Sequence, residues 1–265
     1  MNASAAYSFL PDHIFQDRAL LSGRSIQQEV AFGIEQGEMP SRYRRNAQTM
    51  FPYDQVRLVM ARVVLVGCGG LGGHVLEFLV RAGVGNIVAC DPDIIELHNA
   101  NRQLLATTAT IGQFKAQTAC LRAREINPLV SVEPVTAEFQ EKIFRGADVA
   151  VDCLGGISHR KELQNIASAA NIPLVSAGVS GWTALVSTTW PDETGLAEFM
   201  GGKSDSCELV QGIPSTVVGF AASLQATEVI RILIGAPSAL RGNLLVADIA
   251  EMRFSTVSLQ TKIPR

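Results

Sequence analysis

The chain of 265 residues is 47% hydrophobic and 18% charged, enough apolar material for one large α/β domain or two small ones. Its 22 basic and 25 acidic residues leave a net charge of −3, so no global field favours nucleic acid or an anionic membrane as a partner. No stretch approaches the ~18 apolar residues of a membrane span. The amino-terminal "MNASAAYSFLPDH" lacks the basic flank of a secretory signal, so a cytoplasmic protein is expected. Cys68, Cys90, Cys120, Cys153 and Cys207 are dispersed, with no pair at C-x-x-C spacing. That pattern argues against a disulfide framework and against a four-thiolate zinc site.

Residues 1–60 are polar and mixed, with helical periodicity around "SIQQEVAFGIEQ". Residues 1–41 read as an amino-terminal helical extension and 42–265 as a single domain. Strand-like and helix-like segments then alternate. "RVVLVG" leads to a helix through "HVLEFLVRAG" and then to "NIVACD"; a helix through "KAQTACLRAREI" leads to "VSVEPV". A short helix around "EFQEKIFRG" precedes "DVAVDCL", and "RKELQNIASAAN" precedes "PLVSAG". Short apolar strands alternating with helices predict a doubly wound, Rossmann-like, mainly parallel sheet covered on both faces. After Ala177 the pattern changes. "GWTALVSTTW" alternates like an antiparallel or edge strand, and Pro191 to Gly212 reads as a mobile crossover. A long small-residue helix, "STVVGFAASLQATEVIRILIG", is followed by "NLLVADIAEMRFSTVSL", a terminal hairpin extending the same sheet with antiparallel strands.

The chemistry concentrates at "VVLVGCGGLGG". Gly67, Gly69 and Gly72 satisfy G-x-G-x-x-G between a strand and a helix, with Gly70 and Leu71 inside the turn. A Cβ there would block the tight turn and the approach of backbone to phosphate, while the helix start supplies unpaired N–H donors. Asp91, at the end of the second strand, is placed to accept from ribose hydroxyls. The fingerprint alone suits NAD. The segment "DPDIIELHNANRQLLATTATIGQFKAQ" adds Asn99, Asn101, Arg102 and Gln103 in a polar knot, with Lys115 beyond. A guanidinium and an ammonium beside the phosphates suit a triphosphate attacked at its α-phosphorus, where charge builds on the departing pyrophosphate.

These stretches, with "TIGQFKAQTACLRAREINP", "PLVSAGVSGW" and "GFAASLQATEVIRILIG", resemble the HesA/MoeB/ThiF family, bacterial relatives of ubiquitin-activating enzymes, from about Arg42 to Leu259. The resemblance implies a homodimer that uses ATP and Mg²⁺ to join AMP to the Gly-Gly terminus of a small ubiquitin-like sulfur carrier, releasing pyrophosphate. It assigns the nucleotide backbone to Gly70 and its neighbours and the ribose to Asp91. Asn99, Arg102 and Lys115 fall to the phosphates and the attacked phosphorus. "SRYRRNAQ" is similar to the family's R-Y-x-R-Q signature, with Asn46 where Gln is usual, and implies that Arg45 acts in the neighbouring subunit's site.

The pattern departs from the family in two places. The two C-x-x-C pairs that hold structural zinc in the MoeB and ThiF branches are missing, so no zinc is expected. In "DCLGGISHR", Gly155 and Gly156 stand where the family has Asp and Asn, the acid that helps hold Mg²⁺. Asp152 aligns with an earlier acid of that run, and alternation along a strand prevents it from simply substituting. Three explanations stand: a nucleotide-binding, catalytically impaired partner protein, a metal role for Asp93, or an alteration that traps a complex. Cys207, in "GGKSDSCELVQG", occupies the crossover where ThiF-like members carry a cysteine able to link covalently to the activated carrier. It is equally open to an accessory or an incidental role, since Asp205 and Glu208 beside it disfavour the thiolate.

Overall fold

The computed structural model describes residues 7–191, 193–200 and 211–259. The chain begins with β1 (Ser8–Leu10), α1 (Asp12–Ser22), α2 (Ile26–Glu35) and β2 (Glu38–Pro40), followed by α3 (Pro52–Met60). Ser25 starts α2 by a reciprocal cap: its hydroxyl accepts from the Gln28 N–H, and the Gln28 side chain accepts from the Ser25 N–H. Strands β1 and β2 pair in parallel. This amino-terminal unit is fastened to the rest by shared core. Phe15, Val30, Ile34, Met39 and Tyr43 cluster with Val59 of α3 and with Leu129. The buried Gln27 amide donates to the Gly85 carbonyl at 3.1 Å, and Arg42 pairs with Asp12 while donating to the Ile126 carbonyl at 2.7 Å.

The main body alternates as its sequence suggests: β3 (Arg62–Val66), α4 (Gly70–Ala82), β4 (Asn86–Cys90), α5 (Lys115–Ile126), β5 (Ser131–Val135), β6 (Val149–Asp152), α6 (Arg160–Ala169) and β7 (Leu174–Ser180). Then come β8 (Thr183–Thr189), the single-turn α7 (Leu196–Phe199), α8 (Ser215–Leu233), β9 (Asn243–Asp248) and β10 (Arg253–Ser258). One eight-stranded sheet runs β10-β9-β8-β7-β6-β3-β4-β5. The five strands from β7 to β5 are parallel, and β8, β9 and β10 add antiparallel. Strand order reverses between β3 and β6: the chain builds outward through β4 and β5, then crosses back to lay β6 on the other side of β3. In such sheets ligands bind outside the carboxyl ends of the strands at that reversal.

Alternation along β3 sorts its side chains between two cores. Val63 and Leu65 join α4, α5 and α8; Val64 and Val66 join Phe144 and Leu163 on the opposite face. Each fully buried Val or Leu of this kind contributes about 1.5–3 kcal/mol. The stretch expected as a helix near residue 140 shortens to a 3₁₀ turn over Glu141–Phe144. Helix α8 corrects one expectation. By length and composition it is apolar enough to cross a bilayer. In the fold it packs on α4, β7 and β8, and its Gln225 and Glu228 are buried. Both are satisfied there: Glu228 accepts from the Thr188 hydroxyl at 3.1 Å and the Leu240 N–H at 3.2 Å. The crossover expected over 191–212 includes α7, and residues 201–210 of it lie outside the described residues.

Candidate nucleotide site

A cleft of about 420 Å³ opens at the carboxyl ends of β3, β4 and β6, at the strand reversal. Its floor is the glycine turn. Gly67 takes a left-handed φ of +92°, and a Cβ there would stand 2.5 Å from the Cys153 carbonyl oxygen, so the turn between two adjacent strand ends admits no side chain. Gly69, Gly70 and Leu71 line the cleft where α4 begins. The first N–H groups of a helix have no acceptor within it, and here they face the cleft end of the sheet. Gly72 does not line the cleft. A Cβ on it would come within 1.8 Å of the Gly67 carbonyl, so it serves the close packing of α4 on the turn.

Asp91 ends β4, 5% exposed, with one carboxylate oxygen accepting the Cys68 N–H at 2.7 Å and the other the Asp93 N–H at 2.9 Å. Burial raises its pKa above the ordinary carboxylate range, opposed by the nearby Lys115 ammonium and these two N–H groups. Asp93 is exposed, and its carboxylate holds the Lys115 ammonium at 2.7 Å. Lys115 itself is buried at the first turn of α5. Asn99 closes a 3₁₀ turn by accepting the Glu96 N–H at 3.0 Å, and its carbonyl holds the Arg102 and Gln103 N–H groups. That turn delivers Arg102 and Gln103 to the cleft. The Arg102 guanidinium donates only to neutral acceptors, the Asn101 side chain at 2.9 Å and the His98 carbonyl at 3.3 Å. Among the described residues it has no carboxylate partner.

The β6 end carries an arrangement the sequence reading did not anticipate. Asp152 is tied to Arg160 at 2.6 Å, both side chains 2% exposed. Arg160 also donates to the Leu154 carbonyl at 2.6 Å and the Gly156 carbonyl at 2.8 Å, pinning the whole turn between β6 and α6. Gly155 lines the cleft and Gly156 does not. Gly156 takes a left-handed φ of +72°, a conformation Gly155 does not share. His98, Glu138, Phe139, His159 and Arg160 also line the cleft. An acid at a strand end with an arginine eight residues on, at a helix start, was the available signal for the Asp152–Arg160 pair. Arg45 is exposed in a short 3₁₀ region and does not line the cleft of its own chain. Cys207 lies outside the described residues. The other four cysteines are buried free thiols, and burial drives Cys68 and Cys153 well above the ordinary thiol range.

A glycine turn against a helix start, an acid at the end of the next strand and a guanidinium bonded only to neutral acceptors among the described residues converge on one cleft. Residues 43–265 match the ThiF family. The chain belongs to that family. Among its ThiF relatives, the SAMP-activating enzyme E1 of Haloferax volcanii is 33% identical over 219 residues, covering 79% of this chain and 81% of the relative. The sulfur carrier protein adenylyltransferase of Thermus thermophilus is 35% identical over 226 residues (79% and 82%). The molybdopterin-synthase adenylyltransferase of Escherichia coli is 31% identical over 219 residues (79% and 88%). In fold, the chain resembles the crystal structure of Escherichia coli MccB with ATP, with a TM-score of 0.71 at 24% identity over 84% of this chain and 73% of that one. The first 42 residues lie outside the family match.

Proposed function

We propose that this ThiF-family chain adenylates the carboxyl-terminal carboxylate of a ubiquitin-like sulfur carrier protein. A carboxylate oxygen attacks the α-phosphorus of ATP, the α–β phosphoanhydride bond breaks, and pyrophosphate leaves with its electron pair. A free carboxylate is a poor electrophile until AMP provides a leaving group, so the protein's work is alignment and charge stabilisation. The observation that carries the reading is Arg102: a guanidinium in the cleft wall without a counterion among the described residues, beside the orphan N–H groups of α4. In this reading the α4 turn holds phosphate, Asp91 the ribose, and Arg102 and Lys115 the departing pyrophosphate. Asn99 and Gln103 hold the Arg102 turn in place.

The cleft suits a triphosphate better than it suits a divalent cation. Asp91 is occupied by two N–H groups and Asp152 by Arg160, while Gly155 offers no side chain. Asp93 remains, once Lys115 turns to phosphate. A Mg²⁺ ion would be held by Asp93 together with the triphosphate oxygens, and would neutralise phosphate charge. The exposed Arg45 supports a homodimer in which it completes the partner's site.

The capture of Asp152 by Arg160 favours a second reading, a nucleotide-binding partner protein without turnover. An ATP–pyrophosphate exchange assay with a Gly-Gly-ended carrier separates the two. Exchange above the protein-free rate is expected; ATP binding without exchange, for every carrier tried, overturns the enzymatic reading. Gly155 is not among the left-handed glycines, and Gly155→Asp, which puts a carboxylate back at this lining position, is the companion test. A tenfold or greater gain in Mg²⁺-dependent exchange identifies the missing acid as the limit on the natural chain.

A further inference from the structure

We propose that Glu138 is the base-selecting residue of the cleft, accepting the exocyclic amine of a 6-aminopurine. The inference rests on the nucleotide reading above and adds the group that would choose the base.

The order of strands along the sheet edge carries it. The glycine turn follows β3, Asp91 ends β4, and residues 136–139 follow β5, which pairs with β4 on the side away from β3. The Asp91 N–H donates to the Val135 carbonyl at 3.0 Å and the Cys90 thiol to the Ala137 carbonyl at 3.2 Å, so this loop is fastened directly beside the ribose acid. With phosphates on the α4 turn and ribose at Asp91, continuation of the same line puts the base against 136–139. There the cleft turns from cationic to apolar. Cys90, Leu154 and the buried Phe139 line it, and the His159 ring stands edge-on to Phe139, with centroids 6.5 Å apart at 89°.

Glu138 is the exception in that wall. It lines the cleft and is exposed, with no ion-pair or hydrogen-bond partner among the described residues. The other cleft carboxylates are all engaged: Asp91 by N–H groups, Asp93 by Lys115. A free carboxylate at the phosphate end would repel a triphosphate. At the base end, where an amine is the group to be recognised, it is an acceptor waiting for a donor. A hydrogen bond to a charged acceptor at a partly open site discriminates by about tenfold.

The test is calorimetric binding of ATP and of purine riboside triphosphate, which lacks the 6-amine, to the full chain and to two variants of this exposed position. The wild type is expected to favour ATP about tenfold. Glu138→Ala is expected to bring the two within about twofold, and Glu138→Gln, which keeps a carbonyl acceptor, to restore part of the preference. A preference unchanged in Glu138→Ala, or absent in a wild type that binds ATP well, overturns the assignment and leaves the nucleotide reading standing. A wild type that binds neither triphosphate overturns both.

Discussion

The Lys115 ammonium sits 2.7 Å from the Asp93 carboxylate, a buried cation held by an exposed acid at the mouth of the cleft. The pair is a competition rather than a clamp: an arriving phosphate offers Lys115 a stronger anion, and the exposed partner can be released to water. Lys115→Ala is therefore expected to lower the pyrophosphate exchange rate by about 10²–10³, the usual effect of removing one positioned charge stabiliser. Asp93→Asn removes the competitor and is expected to tighten ATP binding roughly threefold or more when divalent cations are chelated. Weaker binding by Asp93→Asn under chelation, measured by titration calorimetry, would show that the acid does not compete.

The glycines of the turn divide into two classes that mutagenesis can tell apart. A Cβ at Gly69 would meet the Gln103 side chain at an ordinary 3.4 Å, whereas one at Gly72 would overlap the Gly67 carbonyl at 1.8 Å. Gly69→Ala is expected to melt within about 2 °C of the wild type and to bind ATP at least about tenfold more weakly. Gly72→Ala is expected to lose about 3 kcal/mol or more, a fall in Tm on the order of 10 °C. Equal melting temperatures for the two variants would remove the distinction.

Tyr43, 1% exposed, has its hydroxyl pushed up to about 12 by burial, with the Asn127 amide donating to it at 3.0 Å. In the unfolded chain the phenol ionises near 10. Between those values the unfolded state binds fewer protons than the native one, so stability is intact below about pH 10 and declines as pH rises toward 12, by roughly 3 kcal/mol in full. Tyr43→Phe is expected to cost about 1 kcal/mol at pH 8 and to flatten that alkaline decline. Urea unfolding at pH 8 and pH 11 measures both; an unchanged difference between the two pH values contradicts the assignment.

Much of the fold was legible because its signals are local. The β-branched run into glycine, the acid some twenty residues on and the switch to alternation after Ala177 each name an element by themselves. What escaped was of two kinds. Strands β1 and β2 are three residues long, too short for any periodicity, and α3 lies in a mixed polar stretch. The site's cations and acids were visible as residue types, but their partners were not. The eight-residue spacing of Asp152 and Arg160 hints at a pair but not at its burial, and nothing in the sequence says that Glu138 would have no cation beside it among the described residues; both depend on how loops from different strands meet. Gly155 leaves its lining position without a carboxylate, and Asp152, the nearest acid in sequence, is already committed to Arg160.

Gln225 sets the roll of α8. From the middle of α8, its amide donates to the carbonyls of Asp152, at 2.8 Å, and Val175, at 3.0 Å, and its oxygen accepts the Cys153 thiol. Rolling the helix about its axis would strand two carbonyls in an oily interior, a penalty of about 1–3 kcal/mol each. Ile213 and Val218, which line the cleft from that helix and its approach, thus form a jaw that stays put. The same amide joins that jaw to the sheet: α8 cannot shift without carrying β6 and β7 along.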